Sequence, residues 1–75
     1  MHRHAVNSSV IRALTYDEQH NILEVEFRTG RIYQYSAVPP AKYDELLRAN
    51  SIGEFFNREI RTAHPYIEVT KKRRS

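Results

Sequence analysis

Two tyrosines spaced two apart, Tyr33 and Tyr35 in the stretch FRTGRIYQY (residues 27–35), are the first residues whose types could do chemistry. On a strand, alternate residues share a face. Paired rings could then form a platform on which RNA bases stack. The same rings could instead be core residues whose hydroxyls find water or a partner at the core edge. A second group is Asn57, Arg58 and Arg61, which would share the polar side of one helix. Gly53 falls in that helix's first turn, where bare backbone would let a phosphate reach free amides. The competing reading is local: Glu54 pairs with Arg58 four residues on, Asn57 bonds nearby, and Arg61 suits the helix C-terminus. The third group is the run Lys71, Lys72, Arg73 and Arg74. Such a tail adds phosphate contacts without sequence specificity, or is simply a solvated terminus.

Other chemistries find less support. Cysteine is absent, which removes disulfides, thiolate nucleophiles and thiolate metal sites. His2, His4, His20 and His64 are scattered, and His2-x-His4 falls short of the three or four ligands of an organised metal site. Ser8 and Ser9 lack a histidine and oxyanion partner, so they read as turn hydroxyls rather than nucleophiles. The only glycines are Gly30 and Gly53, too few for a phosphate loop. We therefore expect a non-enzymatic protein with no cofactor. MHRHAVNSS carries no apolar signal region, which points to the cytoplasm.

The net charge of +3 comes from 12 Lys and Arg against 9 Asp and Glu. Without the four cations of 71–74, eight face nine, a net −1. The basicity therefore belongs to the C-terminal end. At 75 residues the chain is one small domain that needs a single compact core. The expected organisation is a flexible segment at 1–7, a domain at 8–67 and a basic tail at 68–75.

Those residues must be positioned by a few elements. Residues 9–16 (SVIRALTY) read as a first strand and 22–28 (ILEVEFR) as a second, with Leu23, Val25 and Phe27 on one face. Residues 31–36 form a third. Pro39 and Pro40 end the sheet and open a helix over 40–49, with Tyr43, Leu46 and Leu47 on one side. Ser51 and Glu54 have capping-box spacing, and Ile52, Phe55, Phe56, Ile60 and Ala63 make an apolar stripe that Pro65 terminates. The fold class is α+β: a three-stranded antiparallel meander followed by two helices that cover one face.

Two hairpin registers compete. A two-residue loop at Thr29-Gly30 would place Tyr33 and Tyr35 opposite Glu26 and Glu24, exposed. A three-residue loop, Arg28-Thr29-Gly30, sets Gly30 in the left-handed region and pairs Val25 with Tyr33 and Leu23 with Tyr35. The second uses glycine where glycine stands and keeps one apolar face intact. It turns the tyrosines inward and leaves stacking on them the lesser role.

With these elements placed, the chain resembles the KTSC domain family. The matching stretches are VNSSVIRALTYD (6–17), LEVEFRTGRIYQYSAVP (23–39) and ANSIGEFFNREIR (49–61), followed by Pro65-Tyr66. Tyr33-Gln34-Tyr35 matches the family's Tyr-x-Tyr, and Ser51, Gly53, Phe56, Asn57, Ile60 and Arg61 match its C-terminal motif. His64 departs from the aromatic residue expected before the proline. The family is named for its place at the C-terminus of some lysyl-tRNA synthetases, and it also occurs as small stand-alone bacterial and phage proteins. The resemblance implies a domain that works beside nucleic-acid machinery. The expected partner is RNA or a nucleic-acid-handling protein. The rival is a protein-interaction module, such as a bacterial or phage regulator docking on a polymerase.

Overall fold

The computed structural model describes residues 3–69. His2 and the basic run Lys71, Lys72, Arg73 and Arg74 lie outside the described residues. Five strands form one antiparallel sheet in chain order: β1 (Arg3–Ala5), β2 (Ile11–Asp17), β3 (Ile22–Phe27), β4 (Ile32–Tyr35) and β5 (Tyr66–Val69). Between β4 and β5 run α1 (Pro40–Arg48) and α2 (Ile52–Phe55), and α2 passes directly into a π-helical segment, Phe56–Arg61.

The three strands expected from the pattern are the sheet's centre, and two edge strands are added to them. β1 lies in the segment expected to be flexible, and β5 runs into the stretch expected to be tail. Neither edge strand shows the alternation that marks a half-buried strand: β1 is exposed throughout and β5 nearly so. They are held by partners instead. Arg3 reaches the Glu26 carboxylate at 3.1 Å, and Arg31 reaches that of Glu68 at 3.0 Å.

The hairpin adopts the three-residue loop. Leu23 pairs with Tyr35 and Val25 with Tyr33. The Gly30 amide donates to the Phe27 carbonyl and the Phe27 amide to the Arg31 carbonyl, both at 2.9 Å. Gly30 has φ +99°, a conformation that only glycine adopts cheaply. On β2 the register shifts between Ile11 and Ala13. This bulge turns Ile11 to the same face as Leu14, which strict alternation forbids.

That face is the core. Ile11, Leu14, Leu23, Val25, Tyr35 and Val38 are buried under Tyr43 and Leu46 of α1 and Phe56 and Ile60 of the π segment. Phe27, expected with them, is only half-buried at the margin. Ser51 caps α2 through its hydroxyl, which accepts the Glu54 amide at 3.2 Å; the returning bond of the capping box is not formed. The helix widens from Phe56 onward, where α-helical spacing was expected to continue. Phe56 and Ile60 still turn inward, but Ala63 is exposed rather than part of the stripe. No helix of the described residues is long and apolar enough to cross a membrane.

Candidate functional site

The helices leave one end of the core face uncovered. There a groove of about 520 Å³ runs between the β3–β4 hairpin, β5 and the π segment. Its aromatic wall comes from Phe27, Tyr33, Tyr35, Tyr66 and Phe56, and its polar rim from Arg28, Arg31, Asn57 and Arg61. Register builds the wall. Tyr35 pairs with Tyr66 across β4 and β5, so three tyrosines fall on one side of the sheet. Tyr33 stacks on Tyr66 at 5.1 Å between centroids and 27° between planes. Phe27 stands edge-on to Tyr33 at 5.4 Å, and Phe56 edge-on to Tyr35 at 5.1 Å. These are the offset and edge arrangements that aromatic quadrupoles prefer.

The rings differ in access. Tyr35 is 2% exposed and belongs to the core. Tyr33 is half-buried, and Tyr66 is 52% exposed. Burial pushes the Tyr35 hydroxyl up to about 12, with Tyr66 and Tyr33 adding to the shift and Arg61 opposing it. The hydroxyl is therefore a neutral donor rather than a base.

The rim arginines are held differently. Arg28 donates to the Ser8 carbonyl at 2.6 Å, and Arg31 is tied to Glu68. Arg61 has one long contact, 3.5 Å to the Asn57 Oδ1. Among the described residues it forms no ion pair.

The polar helix cluster expected from the sequence is thus split. Asn57 and Arg61 face the groove with Tyr33 and Tyr35. Arg58 points elsewhere, donating to Glu59 at 3.0 Å and lying over the Phe55 ring at 5.6 Å. Its expected pairing with Glu54 does not form; Glu59 takes its place as the partner of Arg58. Gly53 does not line the groove. A Cβ there would sit in ordinary contact with the Ser8 Oγ, at 3.7 Å. Arg28, Arg31 and Tyr66 enter the site without having been expected there. The available signals were the two arginines flanking the glycine turn and the tyrosine directly after Pro65.

A second concavity, about 800 Å³, lies between the β2–β3 turn and the start of α1. Its lining includes Asp17, Glu18 and Asp44, with His4, Tyr16 and Tyr43. Asp17 is held below the usual carboxylate range by its hydrogen bond from His20, at 2.8 Å. The charged side chains of the two concavities are of opposite sign: arginines at the aromatic groove, carboxylates at the hollow.

Comparison with known proteins accords with this architecture. A KTSC domain model matches residues 7–64. A protein of Stutzerimonas stutzeri is 47% identical over 64 residues, covering 85% of this chain and 90% of that one. A lysine–tRNA ligase of Nostoc punctiforme is 38% identical over 53 residues, 71% of this chain but 9% of the ligase. The crystal structure of a KTSC domain protein from Yersinia pestis superposes with a TM-score of 0.88 at 32% identity, covering 92% of this chain and 97% of that one. The matched sequence and the superposed structure agree, and the chain belongs to the KTSC domain family.

Proposed function

We propose that this domain is a non-enzymatic binding module and that the aromatic groove receives RNA. The observation that carries the reading is the meeting of Tyr33 and Tyr66 with Arg28, Arg31 and Arg61 in one groove, while Asp17, Glu18 and Asp44 collect at the other concavity. Aromatic faces and arginines together suit nucleic acid, which offers flat bases and phosphates on one ligand. The sequence adds four cations, Lys71, Lys72, Arg73 and Arg74, to the charge an anionic strand would meet. The likeness to a short part of a tRNA ligase supports a role beside RNA.

The test is a titration of the full chain, a chain ending at residue 70, and Arg61→Ala with short single-stranded and duplex RNAs at two salt concentrations. Removing four cations should flatten the slope of log affinity against log salt by up to about 3. Arg61→Ala should weaken binding with no loss of folding, because the side chain is exposed. Failure of every RNA to bind the full chain at low salt refutes the reading. One observation then favours a protein-interaction module: Ile67, 63% exposed on edge strand β5, beside open backbone that could pair with a partner's strand.

A further inference from the structure

We propose that the groove takes an unpaired nucleotide of a single strand, its base laid on the Tyr66–Tyr33 stack and its phosphate held by Arg61. The inference rests on the RNA-binding reading and narrows it. Three features of the groove exclude a duplex as the preferred ligand.

The first is shape. At about 520 Å³ the groove lies within the range of pockets that enclose a small molecule, about 300–1,000 Å³. A duplex presents a convex surface with its bases stacked inside, so its π-faces are out of reach. An unpaired base can leave its own stack and enter. The second is the exposed ring. The Tyr66 ring lies 5.1 Å from that of Tyr33 and 5.3 Å from that of Tyr35, and the residue is still 52% exposed. A partly exposed ring beside other rings can take a base, because every base has a π-face to match it.

The third is the division of labour among the arginines. Arg28 and Arg31 are fixed by protein acceptors and shape the rim. Arg61 has a single long bond to Asn57, so most of its five donors remain for a ligand. A guanidinium in that state suits a phosphate, which it can grip with two parallel bonds. The same contact orients Asn57. Its Oδ1 accepts from Arg61, which leaves the amide NH₂ to donate to a base edge or a ribose oxygen.

The chain supplies its own probe. It has five tyrosines and no tryptophan, and Tyr33, Tyr35 and Tyr66 line the groove. Tyrosine emission therefore reports on the site, and a stacked base should quench it. The full chain is titrated with a mixed-sequence single-stranded RNA octamer, the same octamer in duplex form, and a nucleoside monophosphate. The expected result is quenching by the single strand, with the duplex at least about ten-fold weaker. Tyr66→Ala should lose roughly ten-fold or more in single-strand affinity, within the effect of removing one base-stacking ring. Tyr66→Phe should retain most of it. If Tyr66→Ala melts early, Arg61→Gln on the exposed helix side carries the same test, with an expected loss of single-strand affinity at unchanged melting temperature.

Duplex binding as tight as single-strand binding, unaffected by Tyr66→Ala, overturns this proposal and leaves RNA binding standing. Saturation by the monophosphate at the strand's own affinity assigns the groove to free nucleotides and also overturns it. Absence of binding by any of the three at low salt removes both readings.

Discussion

Replacing Gly30 by valine tests the hairpin on which the whole groove depends. The cost can be worked from the backbone alone. No atom lies within 4 Å of the place a Cβ would occupy, so a side chain there meets no steric obstacle. What remains is φ +99°, where a β-branched residue is a genuine outlier. Holding one residue in so sparsely populated a region costs about 1–3 kcal/mol. The stiffer unfolded chain returns about 0.4–1 kcal/mol at best where the native conformation fits, and here it does not fit. For a domain of this size each kcal/mol lowers the melting temperature by about 4–8 °C. Gly30→Val should therefore melt roughly 4–24 °C below the parent, with about 8–16 °C for the middle of that range, about 2 kcal/mol. Thr29→Val is the control. Thr29 is exposed and its hydroxyl makes only a 3.4 Å contact with the Arg31 amide, so the change should stay within about 0.5 kcal/mol. Thermal melts by circular dichroism compare the two. A synthetic chain with D-alanine at position 30 separates backbone from side chain, since D-alanine favours positive φ; it should melt at or above the parent. Equal tolerance of valine at 29 and 30 would refute the bulged turn, and with it the register that faces Tyr33 toward Tyr66.

Three further outcomes follow from the packing. Phe56→Ala removes a ring that is 3% exposed and stands edge-on to both Phe27 and Tyr35, so urea unfolding should show a loss of about 3–5 kcal/mol. Burial, then the nearby Lys42 ammonium, holds the His64 pKa below its ordinary 6.5. The unfolded chain thus takes that proton more readily. Stability from this group is complete above about pH 6.5 and falls as pH drops through the lower folded value, and His64→Leu should flatten the urea midpoint between pH 7.5 and 5.5. Asp17 titrates in a separate window below its ordinary 3.8 and does not interfere. Arg58→Ala should leave RNA affinity within about two-fold while Arg61→Ala weakens it, because only Arg61 reaches the groove; equal losses in a binding titration would place the partner on both sides of the helix.

The parts of this fold that could be read from the sequence are those where one residue type had one physical use. Gly30 fixed the hairpin because only glycine sits easily in that turn. Leu23, Val25 and Phe27 revealed β3 because alternation over a buried face leaves a period of two. β1 and β5 left no such trace. They are edge strands of three and four residues, nearly all exposed, held by backbone pairing and by ion pairs to Glu26 and Glu68. The helix after Ser51 misled in a different way. Its apolar residues fit an α-helix up to Phe56, and nothing in FNREIR announces the switch to i→i+5 bonding. Within this segment Asn57 and Arg61 lie on the groove side and Arg58 on the other. π-helical turns often occur at functional sites. Here the turn aims two polar side chains at an aromatic wall. The wall itself was half legible: the tyrosine pair stood out, but the contribution of Tyr66 required β5.

The groove is continuous with the core, and this decides which of its residues can report on function. Tyr35 and Phe56 are wall and core at once, so replacing either lowers stability and any affinity together, and a lost signal from such a variant says little about a ligand. Tyr66, Asn57 and Arg61 are different. They lie on the solvent side of the same cluster; Asn57 and Arg61 give up little burial when changed, and Tyr66, half-exposed, gives up less than the core rings. An exposed tyrosine on an edge strand, next to an arginine with one long hydrogen bond, gains the fold little compared with its neighbours. A phenylalanine packed at the core contributes more to folding than either. Stability therefore explains Tyr35 and Phe56 and leaves Tyr66 and Arg61 unexplained, and those two are the residues a ligand would use.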